Sequence, residues 1–318
     1  MINPLKIRQW LKDRKQRKHN EKKAARNAVR RAAKMAERQR LMQEAKLHHA
    51  TEAVVESKTQ YWQEQAHANR HLASAGERPR AIAAPIFKRI MSIIPPGSKI
   101  LDVGAGHGRY SIPFAEAGHK VVATDVSQAM LDHLKANAGD IPVDVIAADA
   151  RKLPAKDNEF DVVFSNDFMG HFPNWKELLI EQARCCKPGG MVITSLSLGE
   201  HRERIADWPA KPFEHVYIDE LKPGWPYWVT TSVGELEEVG KTCGLRVEKL
   251  IPLKFFTDSY MFGRALGTDD YKQACNELRD KLRSSPELEE FYTWLELTFL
   301  QNLPPFASSL TLIVYRKC

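Results

Sequence analysis

The sequence has no apolar run long enough to span a membrane. The longest such stretches, SLTLIVY and MVITSL, have the length of a β-strand, whereas a membrane-spanning helix needs about 20 consecutive apolar residues. The N-terminus lacks the apolar centre of a secretory signal, and its mixture of Lys with Glu and Asp is unlike a mitochondrial transit peptide. We therefore expect a cytoplasmic protein that reaches a membrane, if at all, only from its surface.

Cysteine is also scarce. The five cysteines are odd in number, and none is spaced from another as zinc ligands or a redox CxxC pair would be. We therefore expect no metal site, and a reducing compartment fits this cysteine usage best.

Glycine and proline are absent between positions 4 and 76, a span dense in Ala, Arg, Lys, Gln and Glu. These residues are strong helix formers, so residues 1–57 are predicted to form a long helical extension. An apolar heptad begins there but is not sustained, which argues against a tight coiled coil. Ile7, Trp10 and Leu11 share a helical face with a basic rim, a pattern typical of interfacial helices, although so short a stripe would also suit docking on the protein's own body.

Positive charge is concentrated in this extension. Residues 1–50 hold sixteen Lys and Arg against four acids, a net charge of +12. Because the whole chain has a formal charge of +7, residues 51–318 carry −5. We therefore expect the N-terminus to contact any acidic surface that the protein binds. An anionic membrane or a partner protein would fit. RNA fits less well, because residues 51–318 are net acidic.

Strand and helix patterns alternate from position 78 onward. This alternation predicts an α/β fold with a doubly wound, mostly parallel seven-stranded sheet in a domain over residues 58–318. The last two strands lack a clean crossover helix, so we expect an antiparallel pair there and a helical insert at about 253–307. Strands are predicted at 99–103, 120–125, 143–149, 160–166, 191–198, 245–253 and 309–317, and helices at about 110–117, 128–137, 175–186 and 232–244.

Three alternate glycines follow the first of these strands. In LDVGAGHGRY, Gly104, Gly106 and Gly108 stand between a buried strand and a helix, an arrangement that brings backbone N–H groups close to a ligand. The dinucleotide fingerprint GxGxxG would need glycine at position 109, where Arg109 stands. The spacing therefore argues against a pyrophosphate-binding nicotinamide site.

At these residues the sequence resembles the class I S-adenosylmethionine-dependent methyltransferases, whose first motif LDVGAGHGRY matches closely. The segments VVATDVS, AADARKLP, FDVVFSND and CCKPGGMVI follow in the order that the family has them, so the resemblance covers roughly residues 80–200. It implies a Rossmann-like methyltransferase domain with S-adenosylmethionine as its cofactor.

The resemblance also implies a set of cofactor-binding residues. Asp125 would bind the ribose hydroxyls and Asp149 the adenine amino group, with Ala150 offering its backbone. Ordinary strand-end caps and tight turns are the alternative for each feature taken singly. The full implied set is Asp102, Gly104, Ala105, Gly106, Gly108, Asp125, Val126, Asp149, Ala150 and Asn166.

A methyl acceptor that must lose a proton needs a base as well. Ligands of open α/β sheets bind beyond the carboxyl ends of the strands, and NDFMGHFPNW follows the fourth strand at that edge. His171 is the candidate general base, with Asp167 as its orienting partner or as the base itself. The alternative is that His171 only packs at the start of the next helix and that positioning of the acceptor suffices.

Aromatic segments mark the expected acceptor side. A lid over the cofactor is expected just before the core, at Tyr61, Trp62 and Arg70. The alternative is that the aromatic residues among them pack under a long helix. The segment 199–231 is rich in aromatics and prolines, and together with the insert it would contact the acceptor or simply cover the sheet edge.

Three functions fit these observations. The first is methyl transfer to a small or carrier-linked acceptor, such as a glycan, a lipid-linked intermediate or a ring hydroxyl, with the basic tail recruiting the enzyme to a membrane or partner. The second is RNA methylation with the tail on the phosphate backbone, although NDFM stands where amino-methylating nucleic-acid enzymes carry a Pro-Pro-Tyr/Trp tetrad. The third, a non-catalytic scaffold, is disfavoured by the intact cofactor motifs, and the fold alone does not choose among acceptors.

Overall fold

The computed structural model describes residues 60, 87–172, 174–198, 230–253, 269–303 and 310–318. Several of the regions discussed above lie outside the described residues: the helical extension 1–57, the lid residues Tyr61, Trp62 and Arg70, and nearly all of the aromatic segment 199–231. For these regions the sequence-based expectations stay predictions.

A twisted sheet organises the described residues. Seven strands lie in the order β3-β2-β1-β4-β5-β8-β7, and the short β6 pairs with β5 outside this order. Strands β1 to β5 pair in parallel, whereas β8 is antiparallel to both of its neighbours. The predicted mostly parallel sheet with a closing antiparallel pair is therefore confirmed. The strands are β1 Lys99–Val103, β2 Lys120–Asp125, β3 Val143–Ala147, β4 Phe160–Ser165, β5 Cys186–Leu198, β6 Thr230–Thr231, β7 Leu245–Leu253 and β8 Leu310–Lys317.

Helices cover both faces of this sheet. Their starts follow ordinary capping chemistry, since the hydroxyls of Ser127, Ser232 and Ser285 each accept a hydrogen bond from the backbone N–H three residues ahead. The helices are α1 Ser111–Glu116, α2 Gln128–Ala138, α3 Trp175–Cys185, α4 Val233–Thr242, α5 Asp269–Ser284 and α6 Pro286–Trp294, and α6 continues into a π-helical turn Leu295–Phe299 and a 3-10 turn Leu300–Asn302.

Two apolar cores hold the layers together. On one face, Trp175 and Leu179 of α3 pack with Leu236 of α4 and the strands beneath them. On the other face, Ile90 and Phe114 pack against the opposite side of the central strands. Because β1 and β4 are covered on both faces, their side chains are almost continuously buried. Among the described residues, a ligand can therefore reach these two strands at their ends.

The helical pair α5 and α6 lies within the predicted insert 253–307. Strand β7 is antiparallel to β8, as β5 is, so β7 ends at the same edge of the sheet as β1 to β5. The insert therefore leaves the sheet from the carboxyl edge. Leu282 and Tyr292 form its small core, while Phe291 and Trp294 stack on its exposed side with ring centroids 5.9 Å apart.

In the part of the chain that the structure describes, no helix is both long and apolar enough to cross a bilayer.

Candidate active site

The glycine turn is fixed to the end of the neighbouring strand. The backbone N–H groups of Gly104 and Ala105 both donate to the Thr124 carbonyl, at 2.8 and 2.9 Å. Gly104 has φ +73°, a left-handed conformation that an L-residue rarely adopts. The turn is thereby held beside the carboxyl end of β2, where Asp125 follows Thr124.

Asp125 is tied to the turn by its own side chain. Its Oδ2 accepts a hydrogen bond from Gly106 N at 3.0 Å, and its Oδ1 accepts one from Ser127 N at 2.9 Å. Burial raises the pKa of Asp125 above its usual value, although these hydrogen bonds partly oppose the rise. A carboxylate has about four acceptor positions, so acceptor capacity remains for a hydroxyl group of a ligand.

Asp149 follows β3 and is bound by the side chain of Arg151. The two residues are joined by a bidentate contact, with Arg151 Nη2 at 2.5 Å from Asp149 Oδ2. Burial alone would raise the pKa of Asp149, but the hydrogen bonds from Arg151 outweigh it, and the pKa lies below its usual value. Asp149 is therefore a charged group at neutral pH.

A cleft opens between these carboxylates and the segment after β4. Phe168 and Phe172 form its apolar wall, with ring centroids 5.1 Å apart. The cleft is lined by Val103, Gly104, Thr124, Asp125, Val126, Ala148, Asp149, Ala150, Arg151, Phe168, Phe172, Asn174 and Leu178.

Phe168 lies directly against the glycine turn. A Cβ atom built on Gly104 would come within 2.2 Å of the Phe168 ring. Position 104 therefore requires glycine for two reasons, the left-handed backbone and the close approach of this ring.

Half of the predicted cofactor residues line this cleft. They are Gly104, Asp125, Val126, Asp149 and Ala150. Of the other half, Gly106 contributes its N–H to Asp125, and the remaining four are buried: Asp102, Ala105, Gly108 and Asn166. Their roles in binding the cofactor stay predictions.

Asp102 is buried within the sheet rather than on the cleft wall. It is 2% exposed, and its Oδ2 accepts a hydrogen bond from Ser111 Oγ at 2.5 Å. Burial raises the pKa of Asp102 to about 7; the Ser111 bond opposes this rise and the charge of Asp125 adds to it. Asp102 thus holds the start of α1 against β1.

Asn166 presents an unsatisfied polar atom at the end of β4. Its Nδ2 donates to Tyr110 Oη at 3.0 Å. Its Oδ1 is buried and has no hydrogen-bond partner among the residues that the structure describes. A buried acceptor without a donor is costly, so this atom is a natural contact for a ligand N–H or O–H.

The two candidate bases follow Asn166 at the same edge. Asp167 has φ +52°, donates its N–H to Ser195 Oγ at 2.8 Å, and has Arg109 Nη1 at 3.8 Å from its Oδ2. His171 ends the 3-10 turn Met169–His171, with its N–H donated to the Phe168 carbonyl. Both side chains are half-buried. Their assignment as base and orienting partner stays a prediction.

Sequence reasoning missed several residues of the cleft. Arg151 and the pair Phe168 and Phe172 are the main ones, with Asn174 and Leu178 beside them. The sequence does contain a signal for the aromatic pair. Phe168 and Phe172 are four residues apart in NDFMGHFPNW, the segment after β4 that is predicted to carry the candidate bases.

These features fit an S-adenosyl group. The bare backbone of the turn allows close approach, the carboxylates of Asp125 and Asp149 both line the cleft, and two aromatic rings offer an apolar wall for a flat adenine ring. The residues present therefore match the cofactor that the resemblance implies.

Comparison with known proteins agrees with this geometry. A family model described as a methyltransferase domain matches residues 101–194. A demethylmenaquinone methyltransferase of Renibacterium salmoninarum is 37% identical over 147 residues, which cover 41% of this chain and 61% of the relative. One of Streptomyces avermitilis is 42% identical over 98 residues, covering 31% of this chain and 42% of the relative. The chain thus spans less than two thirds of the length of these relatives.

A solved structure shows the same fold. It is the complex between the Haloferax volcanii Trm112 methyltransferase activator and a methyltransferase, with a TM-score of 0.53 and 18% identity over 80% of this chain and 97% of that chain. At this identity the likeness concerns the fold alone. The motifs, the cleft and the family match agree, and residues 101–194 of the chain match a methyltransferase domain.

Proposed function

We propose that this chain transfers a methyl group from S-adenosylmethionine to a small or carrier-linked acceptor, such as a glycan, a lipid-linked intermediate or a ring hydroxyl. The observation that carries the proposal is the cleft at the carboxyl ends of β1 to β3, where the glycine turn, Asp125 and Asp149 stand together. This is the edge at which open α/β sheets bind their ligands.

The chain's residues have mainly to bind and align the reactants. When bound, S-adenosylmethionine supplies a methyl group activated by its sulfonium charge. Asp125 would accept hydrogen bonds from the ribose hydroxyls. Phe168 and Phe172 would exclude water from the face of the adenine ring. Holding the acceptor in line and in near contact accounts for most of the expected rate enhancement.

A proton acceptor completes the site when the acceptor is a hydroxyl or an amine. Asp167 and His171 stand at the carboxyl edge next to the cleft wall, on the segment that also carries Phe168. In this proposal His171 takes the proton as the methyl group is transferred, and Asp167 orients the His171 ring. The alternative is that Asp167 takes the proton itself.

Two relatives narrow the choice of acceptor to be tested first. Both are named demethylmenaquinone methyltransferases, so demethylmenaquinone heads the panel of acceptors. The proposal keeps the broader class because the matched residues lie in the cofactor half of the fold, which different acceptor specificities share.

The basic N-terminal segment would recruit the enzyme. Its charge of +12 against −5 for the rest of the chain favours an anionic membrane or an acidic partner. Deleting residues 1–55 is expected to abolish binding to anionic vesicles and to leave cofactor binding intact. A blue shift of Trp10 emission on adding vesicles would support membrane binding, whereas a preference for structured RNA over vesicles at physiological salt would favour the RNA alternative.

The decisive experiment is a methyl-transfer screen. Radiolabelled S-adenosylmethionine is offered with demethylmenaquinone, membrane extract, soluble metabolites and total RNA, using the full chain and the chain lacking residues 1–55. Label in a lipid or small-molecule fraction supports the proposal. Label confined to RNA would replace it with the RNA alternative.

A further inference from the structure

Arg151 occupies the acceptor atoms of Asp149 in this structure. Asp149 Oδ1 accepts from the backbone N and the Nε of Arg151 at 2.9 and 3.1 Å. Asp149 Oδ2 accepts from Nε and Nη2 of the same residue at 2.9 and 2.5 Å. One residue thus makes four hydrogen-bond contacts with one carboxylate.

This leaves little capacity for another donor. A carboxylate offers about four lone-pair positions, and a bidentate guanidinium takes the two that lie on its open side. An amino group that approached Asp149 would therefore compete with Arg151 rather than find a vacant acceptor. It would also meet a carboxylate whose charge is already neutralised at contact distance.

The pair lies on the cleft rather than on an unrelated surface. Asp149 and Arg151 both line it, together with Val126 and Phe168. Their side chains are 35% and 24% exposed, so the contact is partly shielded from water and stronger than a fully exposed ion pair. Arg151 is therefore a residue of the ligand site.

We propose that Arg151 is a specificity-determining residue of the cofactor cleft, a guanidinium latch that covers Asp149 and must be displaced before the 6-amino group of adenine binds there. The proposal rests on the proposed function, because it assumes that the cleft takes an S-adenosyl ligand. The latch weakens binding of the cofactor and of its demethylated product, and it reduces discrimination between an amino group and a carbonyl at position 6 of the purine.

Removing the guanidinium is then expected to tighten binding. In Arg151→Gln, Asp149 has no cationic side-chain partner at this contact and offers its full charge to the amino group. We expect S-adenosylhomocysteine to bind about tenfold more tightly than to the unaltered chain, a difference of about 1.4 kcal/mol. Binding of S-inosylhomocysteine, which has a carbonyl in place of the amino group, should gain less, because its C6 carbonyl cannot donate to Asp149 and only the neighbouring N1–H remains as a donor.

Isothermal titration calorimetry on the full chain tests this. The variants are Arg151→Gln and Arg151→Lys, with Lys152→Gln as the matched control. Lys152 is the exposed neighbouring residue and lies outside the cleft lining, so Lys152→Gln makes the same charge change and leaves the contacts of the Asp149 carboxylate in place. Arg151→Lys keeps the charge but loses the bidentate geometry, and it should show an intermediate gain. Thermal melting checks that each variant is folded.

The outcomes separate this proposal from the proposed function. A gain in S-adenosylhomocysteine affinity over the unaltered chain that is specific to the Arg151 variants supports the latch. Equal or weaker binding by Arg151→Gln overturns it, as does an equal gain in Lys152→Gln, which would indicate only a general charge effect. Absence of binding by every variant refutes both the latch and the cofactor site on which it rests.

Discussion

The cofactor side and the acceptor side of this sheet edge are built differently. At the ends of β1 to β3, Asp125 is satisfied by backbone N–H groups of the chain, and Asp149 by Arg151. At the end of β4, where Asn166 belongs to the predicted cofactor set and Asp167 to the candidate bases, Asn166 keeps a buried acceptor atom without a donor among the described residues, and Asp167 adopts a left-handed backbone. Strained or unsatisfied groups of this kind concentrate at functional sites.

We propose that this difference reflects where specificity is encoded. The cofactor side depends on backbone geometry, which a short glycine motif specifies and which many acceptor specificities can share. In the proposed function the acceptor would contact individual side chains after β4 and the insert, on which Phe291 and Trp294 are exposed. Substitutions on the two sides should therefore affect different measurements, binding of the cofactor on one and turnover on the other.

The largest expected effect is on the acceptor side. His171→Ala should lower turnover by about two to four orders of magnitude if His171 is the base, with cofactor affinity nearly unchanged. Steady-state kinetics with the acceptor found in the screen, together with calorimetry, give both quantities. Asp167→Asn in the same assay decides which of the two residues takes the proton. A loss of only a few-fold in both variants would leave positioning as the source of catalysis.

On the cofactor side, Gly104→Ala should destabilise the fold. The new Cβ would lie 2.2 Å from the Phe168 ring in a left-handed backbone, at a cost of about 2–4 kcal/mol from strain and displacement of the ring. Gly97→Ala is the matched control, because Gly97 has φ +70° but nothing within 4 Å of the added atom. Urea unfolding should show a loss of about 1–2 kcal/mol for this control. Equal losses in the two variants would mean that contact with Phe168 does not matter.

Asp102 should make stability depend on pH. Its pKa of about 7 in the folded chain exceeds the value of 3.8 that it has when unfolded, so between these values the folded state holds a proton that the unfolded state has lost. The Asp102 contribution is therefore full below about pH 4 and is lost as the pH rises through 7, by at most about 1.4 kcal/mol per pH unit.

Urea unfolding at pH 5 and pH 8 measures this slope. The unaltered chain should lose more stability than Asp102→Asn over the interval, because Ser111 and Asp125, which act on Asp102, are present in both chains and only the unaltered chain titrates at position 102. The acids with lowered pKa values, among them Asp149 and Glu159, titrate below this range and do not confuse the comparison. Identical slopes in the two chains would show that Asp102 does not titrate near neutrality.

Much of the fold was predictable from local patterns. Strands β2 and β7 have the bounds that KVVATD and LRVEKLIPL indicate, because their apolar residues are enclosed by clear turn residues. Strand β5 is longer than expected. It begins at Cys186 rather than at 191, since Cys186 pairs with Phe160 and the register then shifts at a bulge. Lys-Pro-Gly-Gly resembles a turn, and only the neighbouring strand keeps it in the sheet.

The candidate site also has a part that the sequence predicts and a part that it does not. Gly104, Asp125 and Asp149 were predictable because the family motif fixes their spacing along the chain. The contact of Phe168 with the turn and the latch on Asp149 were not, since each depends on where a side chain lies after folding. The hydrophobic periodicity of a sequence indicates which face of a helix or strand is apolar. It does not indicate which atoms come into contact across a cleft.

The central claim is that the cleft binds S-adenosylmethionine and its demethylated product, and calorimetry with S-adenosylhomocysteine on the unaltered chain and on Asp125→Ala tests it most directly. Asp144→Ala serves as the control, because Asp144 is an exposed acid on β3 outside the cleft. We expect saturable one-to-one binding, a loss of about 1–3 kcal/mol in Asp125→Ala from the missing charged acceptor, and no change in the control. Unchanged binding in Asp125→Ala, or no binding by the unaltered chain, would contradict the claim.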